Sequence, residues 1–159
     1  LSTGEALFPS LAKEIPEGAI IGARGPFDVF APDTELAKWF AASYEEKYGV
    51  VPTFPAWKMA QAVLGAKAAY EKAGEGATAP EAAAALVGLK FEAPGGMVHM
   101  AIANGHQAIQ GISYGTYKYV DGKPTVENVV AYSAECVTPP NDMTATQWID
   151  AGFPGADCK

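Results

Sequence analysis

Positive charge is scarce in this chain: 11 Lys and Arg stand against 18 Asp and Glu, a formal net charge of −7. No stretch gathers Lys or Arg on one face, and the summed field repels a phosphate backbone, so nucleic acid is not expected as a partner. Long apolar runs are missing too. The alanine-rich segments are broken by Lys, Glu, Gln and Gly, well short of the roughly 20 residues that span a bilayer. From Leu1 onward there is neither a charged n-region nor a long apolar core, so no signal peptide is read. Leu1-Ser-Thr-Gly-Glu-Ala-Leu-Phe reads instead like the inside of a loop and helix, and the expectation is a chain that starts within a longer protein.

Cysteine is limited to Cys136 and Cys158, both in a C-terminal stretch rich in Pro and Gly with little apolar periodicity. Such a tail needs tethering. With no His or third Cys beside them to build a zinc site, a Cys136–Cys158 disulfide is expected. It would close the tail at a gain of roughly 3 kcal/mol in the chain-entropy model and would point to an oxidising compartment. Two free thiols, or a bond to a cysteine outside these residues, are the alternatives.

What is plentiful is apolar side chain, 49% of 159 residues with 18% charged, which fits a folded domain with a sizeable core. Leu7, Phe8 and Leu11 give Ser2–Lys13 a modest helical pattern that Pro16-Glu17-Gly18 breaks. The run from Gly18 to Ala23 suits a buried strand of a parallel sheet, and a loop follows from Arg24 to Asp28. A helix with Asp33 as N-cap carries Leu36, Trp39, Phe40, Tyr44 and Tyr48 at helical spacing, and Gly49 ends it. Core packing is the expectation for Trp39, Phe40 and Tyr44.

The next helix, Ala56–Ala73, is apolar on two faces, with Trp57, Leu64 and Ala68 on one and Met59, Val63, Ala66 and Tyr70 on the other. It is therefore expected to be mostly buried. Pro80 opens a third helix that Gly88 ends. From Leu89 the apolar period changes to two: Phe91, a Pro94-Gly95-Gly96 turn, Val98 and Met100 describe a hairpin. Ala108–Val120 and Thr125–Tyr132 are strand-like runs joined at Asp121-Gly122-Lys123, and a short helix spans Thr144–Ala151. The order implies an α/β fold.

Chemistry is hard to find. There is no Gly-x-Ser-x-Gly elbow, phosphate loop or His-Glu-x-x-His. His99 alternates with Val98 and Met100 and is expected to face solvent, while His106 follows Asn104-Gly105 in a turn. Neither has a carboxylate at metal-binding spacing, so no catalytic residue, metal or cofactor is assigned. Phe54 and Trp57 flank a helix start, where backbone N–H groups can face an anion and rings can line an apolar pocket. Core packing is an equal alternative for both.

The order of these pieces carries a resemblance. The helix ending Tyr48-Gly49 and soon followed by Pro52, the Ala56-Trp-Lys-Met-Ala-Gln-Ala helix closing on Glu71-Lys-Ala-Gly74, then Leu89-Lys-Phe-Glu-Ala-Pro-Gly-Gly96 and Asn104-Gly-His-Gln107, resemble the type I periplasmic solute-binding proteins. The branch is that of the leucine/isoleucine/valine-binding components of ABC importers, which usually have Tyr where Trp57 stands. The likeness covers about residues 5–120 and corresponds to the C-terminal half of the family.

It implies a two-lobe fold of doubly wound, Rossmann-like lobes joined by three crossovers, closing on a ligand in the cleft without bond making. Ser2–Glu17 would belong to the second lobe, Gly18–Gly22 to a crossover and Pro32–Gly88 to the first lobe. Residues 1–135 would thus span parts of both lobes, with 136–159 an irregular tail. Thr53, Phe54 and Trp57 would form the apolar wall of the pocket, while the groups that grip the ligand's carboxylate and amine come mostly from the N-terminal half. The implied function is an extracytoplasmic receptor, periplasmic or extracellular, for an amino acid or a small apolar or aromatic carboxylate. Its implied partners are the solute, ABC permease membrane subunits and the N-terminal half of the same protein. A sensory domain of the same fold, or an α/β enzyme using His106, are the alternatives.

Overall fold

A computed structural model of the chain describes residues 11–23, 30–102, 105–140, 142–156 and 158. The expected Ser2–Lys13 helix lies outside the described residues except for a 3-10 turn at Ala12–Glu14. The Arg24–Asp28 loop and Asn104 lie outside them as well. The chain divides into two compact units. One comprises Leu1–Ala60, Pro94–Gly96 and Ile112–Ala131; the other comprises Gln61–Ala93, Met97–Gly111 and Tyr132–Lys159.

In the first unit a three-stranded sheet is ordered β1 (Ile20–Ala23), β5 (Ile112–Val120), β6 (Lys123–Tyr132). Antiparallel pairing sets Ile20 opposite Thr116, Ile21 opposite Gly115 and Ala23 opposite Ser113. The parallel, fully buried strand expected at Gly18–Ala23 is therefore corrected: Ile20 is 78% exposed. A short apolar run reads the same whichever way its neighbour travels, and strand direction is set by a partner nearly a hundred residues away. Tyr117 is the centre of this unit. It is wholly buried, Ile15, Ala19, Ile21, Tyr119 and Val126 pack around it, and its hydroxyl donates to the Ala12 carbonyl. The β5–β6 turn uses Asp121 at φ 50° and Gly122 at φ 80°, the left-handed pair that a two-residue hairpin requires.

The helix α1 (Glu35–Tyr48) is capped by Thr34, whose Oγ1 accepts the Ala37 N–H at 3.2 Å. Asp33, the expected cap, lies one residue too early and pairs with Lys38 at 2.8 Å, which holds its carboxyl below the ordinary value. Gly49 terminates the helix at φ 69°, its N–H on the Glu45 carbonyl at 2.8 Å. Trp39 does not pack in the core; it is 63% exposed. The inward stripe runs through buried Ala37 and half-buried Phe40 and Tyr44, and Trp39 sits one residue, about 100°, off Phe40.

The division between units falls inside α2 (Phe54–Ala73), which begins two residues before the expected start. Its expected near-complete burial is also corrected. Trp57 and Ala69 are buried, but Met59, Val63 and Tyr70 are exposed.

In the second unit, α3 (Ala79–Ala85) begins under Thr78, whose N–H and hydroxyl both donate to Glu81 at 2.7 Å. The sheet order is β2 (Lys90–Ala93), β3 (Gly96–Ile102), β4 (Gln107–Ile109), and β2 meets β3 at the expected Pro94-Gly95 turn. His99 pairs opposite Ile109, with a register shift between Met100 and Ile102. The expected single run Ala108–Val120 is two strands in two sheets. Gly111 separates them, passing so close to the Tyr132 carbonyl that a Cβ would collide with it.

The tail is ordered by its own contacts. The expected short helix is α4 (Ala145–Asp150), which Thr144 and Gln147 cap reciprocally. Trp148 on that helix donates its indole N–H to the Pro154 carbonyl at 2.9 Å and meets Phe153 edge-on at 5.1 Å. Cys136 and Cys158 are joined by a disulfide with a Cα–Cα distance of 5.2 Å.

Candidate ligand-binding site

The three residues expected to line a pocket lie together at the start of α2, in the first unit. Gly49 in the left-handed region turns the chain out of α1, exposed Val50 and Val51 follow, and Pro52 is buried. Thr53 and Phe54 are half-buried, whereas Trp57 is only 2% exposed. The Trp57 ring stands edge-on to Phe40, with centroids 4.9 Å apart, and its indole N–H donates to the Pro52 carbonyl at 3.0 Å. Phe40 in turn contacts Tyr44, and Tyr44 contacts Tyr48, at 6.0 and 4.6 Å. Trp57 thus anchors an aromatic row along α1 and clamps the loop just ahead of Thr53.

The helix start offers few donors. Pro55 has no N–H, and those of Ala56 and Trp57 point to the Thr53 carbonyl at 2.9 and 3.3 Å. Among the described residues, the Phe54 N–H at the first helical position is a donor of that turn outside the helix ladder. An anion would meet one backbone N–H and the positive end of the helix dipole there, a weaker cradle than a full set of free donors. Phe40 and Pro52 are the residues that sequence reading leaves out of this group. Pro52 gives no signal, since a carbonyl acceptor is carried by every residue.

The histidines behave differently from each other. His106 is exposed in the turn before β4, whereas His99 is half-buried and not simply solvent-facing: its Nδ1 is buried and has no hydrogen-bond partner among the described residues. Alternation predicts which face of a strand a residue takes, not whether that face is covered. Among the described residues no three His, Cys, Asp or Glu side chains are grouped to hold a metal, and no helix is long and apolar enough to cross a membrane.

Comparison with known proteins places these elements. A family model described as periplasmic binding protein matches residues 2–123. Comparison with curated protein sequences gives no match. Among solved structures, the chain is similar to an ABC-type branched-chain amino acid transporter protein from Rhodopseudomonas palustris, at 21% identity and a TM-score of 0.70 over 86% of this chain and 37% of that one. A solute-binding protein from the same species, in complex with p-hydroxybenzoic acid, matches at 18% identity and a TM-score of 0.65 over 90% of this chain and 37% of that one. A leucine-binding protein from Thermotoga maritima matches at 24% identity and a TM-score of 0.56 over 76% and 34%. The fold is thus α/β, part of the type I periplasmic-binding-protein architecture, and the chain spans little more than a third of the length of these neighbours.

Proposed function

This chain belongs to the periplasmic binding protein family, and on that premise we propose that it is part of the extracytoplasmic solute-binding component of an ABC importer. The observation that carries the reading is the family match across residues 2–123. The receptor delivers its solute to permease subunits in the membrane, and no bond is made or broken. Ligand shifts a population of open and closed forms by binding the closed one better.

The proposed solute is an amino acid or a small apolar or aromatic carboxylate, a choice supported by neighbours described as leucine-binding and as holding p-hydroxybenzoic acid. Thr53, Phe54 and Trp57 form the apolar wall of the pocket in this proposal. Thr53 and Phe54 supply surface and one N–H, and Trp57 holds the loop from behind. The N-terminal half of the same protein supplies most of the groups that grip charge.

A thermal-shift screen of the complete gene product against amino acids and aromatic acids tests this. A solute at 100 times its dissociation constant stabilises the folded state by about 2.7 kcal/mol. A rise in melting temperature with members of one class supports the receptor reading, and no response across both classes overturns the solute assignment.

A further inference from the structure

The tail from Ser133 to Cys158 lies beyond residues 2–123, the stretch that the family model matches. Among the described residues its hydrogen bonds run within the segment. The Cys136 N–H donates to Ser133 Oγ at 3.2 Å and the Thr144 N–H to Gln147 Oε1 at 2.9 Å. The Trp148 indole N–H donates to the Pro154 carbonyl, and the Phe153 N–H to the Trp148 carbonyl, both at 2.9 Å. One covalent bond, Cys136–Cys158, closes this segment across 22 residues. The helix inside the loop, α4, has six residues, too few to persist once the loop is open. Opening the bond is therefore a local event, because the strands of both sheets are held by ladders outside the tail. The two ends of the bond also differ. Cys136 is 3% exposed, whereas Cys158 is exposed. A disulfide buried at both ends waits for unfolding before a large reductant reaches it; one with an end at the surface can exchange in the native state.

We propose, beyond the receptor reading and independently of it, that Cys136–Cys158 is a thiol–disulfide exchange site for a protein dithiol, and that exchange switches the tail between a closed and an open form. A thiolate of the dithiol attacks Cys158 Sγ and forms a mixed disulfide. The Cys136–Cys158 bond breaks, and Cys136 leaves as a thiolate that takes up a proton. The second thiol of the dithiol then attacks the mixed disulfide and releases Cys158 as a thiol. Two electrons pass: the dithiol ends as a disulfide, and Cys136 and Cys158 end reduced. In the closed form Trp148 is buried at 8% exposure. In the open form α4 loses its closure, and Trp148 separates from Phe153 and Pro154 and meets water. The reverse exchange with an oxidised partner closes the tail again.

Trapping and kinetics test it on the complete gene product under native conditions. The probes are a Cys-x-x-Cys protein dithiol and its variant with the second cysteine replaced by serine, which cannot resolve a mixed disulfide. The single-thiol variant is expected to be caught on the peptide that carries Cys158, located by mass spectrometry. An adduct on Cys136, or none until denaturant is added, would overturn the exchange site. With the intact dithiol, a tenfold rise in its concentration is expected to reduce the bond about tenfold faster. A rate that ignores dithiol concentration would mean that unfolding gates the bond, and would overturn the proposal. Reduction is expected to leave the amide protection of β5 in place, and glutathione disulfide to restore both the bond and the parent tryptophan fluorescence. Loss of β5 protection on reduction would make the bond a structural staple of the whole fold, and failure to reclose would rule out a switch.

Discussion

The indole N–H of Trp57 donates to the carbonyl of Pro52 across a single turn of chain, at 3.0 Å and with the ring buried. That bond ties the start of α2 to the loop leaving α1, and it makes Trp57 a clamp as much as a wall. Its role is separable from bulk. Trp57→Phe keeps a ring against Phe40 but leaves the Pro52 carbonyl without its donor. The expected loss is about 1–3 kcal/mol from the orphaned carbonyl and the smaller ring together, read as a lower urea midpoint at unchanged m-value. A midpoint equal to that of the parent would mean that the bond contributes nothing.

Tyr117 offers a second test with its own pH signature. Its hydroxyl is buried against the Ala12 carbonyl, and burial, with lesser contributions from Tyr119 and Glu17, raises its pKa above the ordinary 10.0. The folded state therefore keeps a proton that the unfolded state gives up. Stability from this group is complete below pH 10 and is lost as pH rises from there through the folded pKa. Tyr117→Phe is expected to cost about 1 kcal/mol at neutral pH and to flatten the alkaline decline measured by denaturant titration. An alkaline slope that survives the substitution would assign it to other groups.

Much of this architecture is legible without coordinates, and the misreadings have a common cause. Gly49, the Pro94-Gly95 turn and Asp121-Gly122 act within a few residues, so their signals are complete in the sequence. Ile20, Trp39, Val63 and His99 are misread because exposure depends on what lies across from a residue, which periodicity does not contain. The site shows the same split. Phe54 and Trp57 stand out by their place at a helix start, whereas Phe40 and Pro52, which hold Trp57, come from the preceding helix and loop.

Gly115 should tolerate no side chain. It lies opposite Ile21 in the central strand of its sheet, and a Cβ there would run into Val126 and the Glu127 carbonyl. Because the carbonyl is ladder backbone, it cannot swing aside as a side chain could. Gly115→Ala is expected to destabilise by about 1–3 kcal/mol through overpacking, despite the entropic advantage alanine usually has over glycine. Thermal melts of the two proteins side by side decide it, and an unchanged or higher midpoint would show that β6 yields.

The Glu81 carboxylate holds both the N–H and the hydroxyl of Thr78, and those bonds lower its pKa from 4.5. Sign follows directly: the cap is intact above the unfolded value and is lost as pH falls through the folded one. Hydrogen exchange of the Ala79–Ala85 amides, corrected for intrinsic rate, is expected to quicken in the parent as pH falls below 4.5 and through the lowered folded pKa. Glu81→Gln should exchange faster at neutral pH and show no further acid step. If parent and variant keep the same protection across that range, α3 is held by its packing and not by its cap.

The disulfide makes the strongest demand on the tail. It joins positions 22 residues apart, a loop whose closure is worth about 3 kcal/mol in the chain-entropy model. Cys158 is exposed while Cys136 is 3% exposed, so a small reductant can attack from the Cys158 side. Within the loop, α4 has only six residues, too few to persist without the Trp148 contacts and the covalent closure. Reduction is therefore expected to lower the melting temperature and to release Trp148 from Phe153 and Pro154, seen as a red shift in its fluorescence. Cys136→Ser with Cys158→Ser should reproduce both changes and abolish the effect of reductant. Intact-mass measurement of the unreduced, alkylated chain provides the direct check: two added alkyl groups would refute the bond, and none is expected.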